Sequence, residues 1–291
     1  MNRPAVPVSR SDHASRSRAR DRRGASELSG QVRFFRFYLV LFGADVLLGW
    51  LAWIMALPIT HGLEYPLWSL RGASASALSD IVVFGGLSAL VAFRVVHAER
   101  RRFVDVGLRG PGQFREFARG YALGLAWAVC ALAVAVAAGW TAVNGSVRLS
   151  TLLAFAPLWM VVNAFQAGVE EVIFRGWLLP LLVRRHQLCT AILVQAVLFA
   201  CLHLLVDANT TLAVLHALIF GAFAGLYVHR RQSIWGVIGI HGAYNFAAIP
   251  VISLATGGQY GPTGWHYAAI ALTGAGVAVL LALSRWCRRR R

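Results

Sequence analysis

The sequence predicts an all-α fold, a polytopic integral membrane bundle of about eight transmembrane helices. Three observations carry this reading. Of 291 residues, 58% are hydrophobic and only 14% charged, with a mean hydropathy of +0.61, whereas soluble domains are about half apolar and a quarter charged. Apolar runs recur from residue 34 to residue 286 with no polar domain between them. The basic residues gather at the ends of those runs, where cytoplasmic flanks face anionic lipid. The net charge is +16, and every basic residue other than His is Arg. In a soluble chain such a balance would suggest nucleic acid. Beside apolar segments it argues for membrane lipid as the partner, and against nucleic acid.

The elements follow in order. Residues 1–32 are rich in Arg, Ser and Asp and read as a disordered basic cytoplasmic tail. The basic region is too long for a signal peptide, and no small-residue cleavage site follows it. Residues 33–288 then form one transmembrane domain. A bilayer core takes about 20 apolar residues per helix. The runs at 34–57, 78–97, 118–143, 151–183, 189–206, 211–229, 234–254 and 265–286 meet that need. Between the second and third runs stand Arg100, Arg101, Arg102, Arg109, Arg115 and Arg119. Arg184 and Arg185 follow the fourth run, Arg230 and Arg231 the sixth, and Arg285 and Arg288 to Arg291 end the chain. The positive-inside rule places both termini and these loops in the cytoplasm, in what reads as a bacterial inner membrane. Cys130, Cys189, Cys201 and Cys287 have no paired spacing and read as small core residues.

Ionisable side chains inside membrane spans are costly and mark function by default. The fourth run reads GVEEVIFRGW, with Glu170, Glu171 and Arg175 in an apolar helix. Glu171 and Arg175 are four apart and can pair on one face. Glu170 then lacks a local partner, which suits a general base or acid. The fifth run carries His203 in FACLH, and the seventh carries His241 and Asn245 in HGAYN, again four apart. Depth provides a second criterion. Glu170 lies 14 residues before Arg184, His203 lies 18 after Arg185, and Asn245 lies 14 after Arg231. These separations correspond to about 20–27 Å from the basic flanks, with His241 at about 15 Å. All four can meet at one level, and a hairpin around Arg184–Gln187 brings Glu170 and His203 together.

Glu-Glu-x-x-x-Arg, Phe-x-x-x-His and His-x-x-x-Asn, in this order on successive apolar helices, resemble the CPBP family. That family includes the type II CAAX prenyl endopeptidases and the Abi and bacteriocin-immunity proteins. VGLRGPGQFREFARG, residues 106–120, is similar to the basic segment preceding that family's core. The resemblance covers about residues 100–255. It implies an intramembrane endopeptidase acting on a protein or peptide substrate that is lipid-modified or membrane-embedded. Glu170, with His203, would activate the attacking water; His241 and Asn245 would stabilise the oxyanion; Glu171 and Arg175 would support the site. Glu170, His203 and His241 also form a two-His, one-carboxylate set of the kind that holds zinc. Asn245 is a poor zinc ligand and a good oxyanion donor, and no H-E-x-x-H helix is present, so the expectation is a glutamate site without a cofactor.

Other readings fit less well. Without Lys there is no Ser–Lys dyad, and no Gly-x-Ser-x-Gly elbow occurs. Asp45 and Asp80 could imitate an aspartyl pair, but no Gly-x-Gly-Asp accompanies them. Each reads as pairing with a neighbouring helix or lying near an interface. His216 reads as structural. A non-catalytic immunity or scaffolding protein is the alternative to an enzyme, and a transporter ranks last because no inverted repeat is evident.

Overall fold

In the computed structural model, which describes residues 10–63, 69–110, 112–143, 149–205, 210–248 and 263–289, every regular element among the described residues is a helix. The helices are α1 (Arg10–Thr60), α2 (Leu70–Phe93), α3 (Gln113–Ala137), α4 (Leu149–Glu171), α5 (Leu179–Val183), α6 (Leu188–Leu202), α7 (Thr210–Arg231), α8 (Trp235–Phe246) and α9 (Thr263–Arg289). Among the described residues five apolar stretches are long enough to cross a membrane: Phe35–Thr60, Leu70–Ala98, Gln113–Ala137, Ser150–Val183 and Thr211–Arg231. Leu188–Leu202 and Tyr267–Ala282 are shorter apolar helices. The chain is an integral membrane protein of the all-α class.

Helix boundaries follow local chemistry. α2 begins earlier than the apolar run because Ser69 accepts a hydrogen bond from the Gly72 amide at 3.1 Å, capping the first turn. α3 ends at Ala137 instead of running to 143. Gly139 there adopts φ +70°, and the Gly139 and Trp140 amides bond back to Val136 and Ala135, forming a Schellman stop. The stretch read as a disordered tail enters α1 at Arg10. No Pro lies between Pro7 and Pro58, and Arg, Ala, Leu and Glu favour helix. Residues 1–9, Trp68 and the chain's last two residues, Arg290 and Arg291, lie outside the described residues.

Two compact units are defined, Met1–Leu47 and Leu48–Arg291. In the larger, α8 is the central element, packed against α3 and α4. Its glycines allow this. A Cβ on Gly239 would collide with the Phe117 carbonyl and the Tyr121 amide, one on Gly242 would lie 2.9 Å from Ala164 Cα, and one on Gly120 of α3 would meet the Gly236 carbonyl. Small residues let membrane helices approach backbone to backbone. Gly239→Ala is therefore expected to lower the unfolding temperature in detergent, by overpacking worth about 1–3 kcal/mol. Gly274→Ala, with nothing within 4 Å of the added methyl, is the neutral control.

The basic connection after α2 folds back over the bundle. Glu99 accepts from the Trp177 indole at 2.8 Å and pairs with Arg101 at 3.3 Å. The Leu108 carbonyl accepts from the Trp235 indole at 3.1 Å and from Gln113 Nε2 at 2.6 Å. Arg231 of α7 meets Glu116 of α3 at 2.7 Å. Cys130 and Cys189 are exposed and not core residues as expected; both lie on apolar helices, whose outer faces meet lipid.

Candidate active site

The two Glu residues close α4, and a π-helical turn, Val172–Leu178, follows at once. The Leu179 amide bonds to the Phe174 carbonyl, five residues back. Pro180 next to it has no amide to give to Gly176, which breaks the ordinary ladder. All seven residues of this turn are buried. A side chain at Gly176 would strike the Val106 carbonyl, so the basic connection seats directly on the turn.

Arg175, 1% exposed, points along the turn to Glu171, 0% exposed, with Nη1 3.0 Å from Oε1. The expected pair is present, but it is one edge of a larger assembly. Glu171 Oε1 also lies 2.9 Å from His241 Nδ1. An ionised carboxylate only accepts, so His241 donates through Nδ1 and Nε2 is left bare in the neutral ring. That Nε2 stands 3.8 Å from Glu170 Oε2. Glu170 Oε1 is 3.5 Å from Gln166 Nε2, and its buried Oε2 has no hydrogen bond. Glu170, His241, Glu171 and Arg175 thus form a chain, with Glu170 at its free end.

Phe199 of α6 joins the remaining members. Arg175 lies over its ring at 4.4 Å, a cation–π contact that covers a guanidinium whose Nε and Nη2 are buried without hydrogen bonds. His203 packs on the same ring at 4.8 Å, and His241 approaches it at 6.0 Å. His203 caps the end of α6, with Nδ1 3.1 Å from the Phe199 carbonyl. That carbonyl can only accept, so His203 also carries its proton on Nδ1. His203 is half-buried and reaches the cluster through Phe199; the imidazole facing Glu170 is His241. Asn245 is half-buried on α8, one turn beyond His241. Among the described residues no three His, Cys, Asp or Glu side chains converge tightly enough to hold a metal ion, so the zinc set of Glu170, His203 and His241 does not close in this geometry.

The sequence missed a second polar network beside the first. Thr273 Oγ1 donates to the Ala269 carbonyl at 2.7 Å. It must therefore accept from His216 Nε2, 3.2 Å away, which leaves His216 Nδ1 to accept from the Tyr244 hydroxyl at 3.4 Å. Tyr244 lies between His241 and Asn245 in sequence, so this chain ties their helix to α7 and α9. Thr273→Val is expected to cost about 1–3 kcal/mol by stranding a buried donor, read as a lower unfolding temperature, while Thr273→Ser retains it.

The fold and site define a polytopic membrane protein with a buried, polar cluster of two Glu, a His and an Arg. Residues 152–247 match the family described as Rce1-like, type II CAAX prenyl endopeptidase, so this part of the chain is similar to that family. The matched segment holds Glu170, Glu171, Arg175, His203, His241 and Asn245. That family is one of peptidases, which act on protein or peptide substrates. No curated protein and no solved structure matches the chain.

Proposed function

We propose that this protein is an intramembrane endopeptidase of the CAAX-processing type, which hydrolyses a peptide bond with water activated by Glu170. The observation that carries this reading is Glu170 at the free end of the buried chain formed with His241, Glu171 and Arg175, within a segment that matches a peptidase family. A base with a bare, buried oxygen next to a ring that can gain a proton is what water attack on a carbonyl requires. Glu170 takes the water's proton and passes it to the bare Nε2 of His241, 3.8 Å away; that N–H, on a ring held through Nδ1 by Glu171, donates to the developing oxyanion, and the same proton then goes to the nitrogen of the leaving amine. Asn245, one turn on, supplies a second donor. Arg175 pairs with Glu171, and Glu171 fixes the ring. His203, with Nε2 bare, serves the same water from the α6 side. On this reading the carboxylate activates the water directly, because Asn245 is a good oxyanion donor and a poor zinc ligand and no H-E-x-x-H helix is present.

The substrate is a protein or peptide with a lipid-modified or membrane-embedded end, cut near the cytoplasmic side of a bacterial inner membrane. Both termini of this chain face the same side, as its Arg-rich flanks imply. The test uses the full chain in lipid vesicles with two sets of peptides, carrying a prenylated or an unmodified apolar C-terminus. Mass spectrometry of products is expected to show one internal cut in wild type and none in His241→Ala. Equal products from both would overturn the reading. A well-folded wild type that cuts no peptide of either set would favour the immunity or scaffolding alternative.

A further inference from the structure

Residues 99–108 lie in the connection between α2 and α3, and the mechanism above does not use them. They run across both elements that carry it. At one end Glu99 accepts from the Trp177 indole at 2.8 Å. Trp177 is buried in the π-helical turn, two residues after Arg175. At the other end the Leu108 carbonyl accepts from the indole of Trp235 at 3.1 Å. Trp235 opens α8, the helix that carries His241. Between these ends Val106 is wholly buried, with its carbonyl against Gly176. Gly107 follows at φ +88°, where a Cβ would come within 3.0 Å of the Ile234 side chain, just before α8. One short segment thus touches the turn twice and the start of α8 twice.

The segment is braced on itself. Glu99 also pairs with Arg101 at 3.3 Å and with Arg94 at 3.6 Å. Arg101 reaches on to the Asp105 carbonyl at 3.2 Å, and its amide bonds at 3.0 Å to the Val95 carbonyl, just beyond α2. Beneath the segment the bundle is not closed. A cleft of about 300 Å³ separates the turn and α5 from the corner between α7 and α8, lined by Gly176, Leu179 and Pro180 on one side and by Gln232, Ser233 and Ile234 on the other. α8 packs directly on α4 beyond this cleft, where Gly242 meets Ala164. At the cleft itself, the link between the turn and α8 runs through the segment and its two indole bonds.

We infer that residues 99–108 are a clamp that sets the spacing between the π-helical turn and α8, and that Glu99 is a positioning residue for the site. The inference rests on the proposed function for its effect on turnover. The turn carries Arg175, which pairs with Glu171, while α8 carries His241, 2.9 Å from Glu171 and 3.8 Å from Glu170. Hydrogen bonds weaken steeply with misalignment. A small shift of the turn against α8 therefore loosens the hold of Glu171 on the ring that faces Glu170.

Hydrogen–deuterium exchange of the full chain in lipid nanodiscs, followed by mass spectrometry, tests the clamp without any substrate. Glu99→Ala removes the acceptor of the Trp177 indole, whereas Glu99→Gln retains an oxygen for it. Arg119→Gln, which removes an exposed arginine outside the segment, is the control. In Glu99→Ala the amides of residues 235–241, at the far end of the clamp, are expected to exchange about tenfold faster than in wild type, as for the loss of one buried hydrogen bond. Trp235→Phe should do the same to residues 172–178 from the other end. Glu99→Gln and Arg119→Gln should match wild type. Faster exchange confined to the mutated end, or spread over the whole bundle, would overturn the clamp. On a cleaved peptide, Glu99→Ala is expected to lower kcat about 10- to 100-fold with KM unchanged, the signature of lost alignment. Coupled exchange in a wild type that cuts no peptide would uphold the clamp and sink the proposed function alone. Proteolysis with the same kcat in wild type and Glu99→Ala would overturn the positioning role alone.

Discussion

Glu170→Gln is expected to lower peptide-bond cleavage by about 10²- to 10⁴-fold, the usual contribution of a positioned general base, while the protein stays folded. The second half of this result follows from the geometry. Glu170 receives one long contact from Gln166 at 3.5 Å and stands 3.8 Å from His241, so an amide of the same shape removes little that holds the bundle together. The first half follows from chemistry. An amide cannot take a proton from water, and the adjacent Glu171 cannot replace it, since it is engaged by both Arg175 and His241. Cleavage rate and unfolding temperature measured on one preparation separate the two effects. Retained cleavage in Glu170→Gln would remove Glu170 from the mechanism.

Arg175→Met is expected to do the opposite, destabilising the protein before chemistry is reached. The Arg175 and Glu171 side chains are both wholly buried, with their pair at 3.0 Å. Removing one partner of a buried pair leaves an uncompensated charge and costs about 3–5 kcal/mol. The loss should appear as a sharp fall in folded yield and unfolding temperature. The double variant Glu171→Gln with Arg175→Met takes out both charges, and a buried pair replaced by apolar or neutral groups of similar size is often tolerated. It is expected to regain most of the stability and none of the activity, because His241 then loses the carboxylate that fixes its Nδ1 proton. If the double variant is as unstable as Arg175→Met, the stacking of Arg175 on Phe199, and not the ion pair, carries the stability.

How much of this the sequence reveals depends on whether a contact lies within one helix or between two. The Glu171–Arg175 pair was legible because four residues bring side chains onto one face. So were the long apolar helices, five of which occur among the described residues where eight runs were expected, because bilayer thickness sets their length. The depths of Glu170 and His241 could be counted from the Arg flanks. What spacing cannot give is the rotation of one helix against another. It suggested His203 as the companion of Glu170 through the Arg184–Gln187 hairpin, whereas the structure places His241 of α8 there. The His216–Thr273 bond joins residues 57 apart and leaves no local trace. Other features had a signal that could have been read. Gly120-x-x-x-Gly124 on α3, and Gly236, Gly239 and Gly242 on α8, mark where two backbones meet. Pro180 anticipates the widened turn behind Glu171.

The central claim is that this membrane protein cuts peptide bonds through Glu170, and it can be tested without knowing the substrate. Wild type and Glu170→Gln are expressed at matched levels in one bacterial host, and the C-termini of all membrane proteins are sequenced by mass spectrometry. The expected result is a set of new C-termini, near the cytoplasmic ends of apolar segments, that appears with wild type and is absent with Glu170→Gln. Identical C-termini in the two strains, with both proteins folded and inserted, would contradict it.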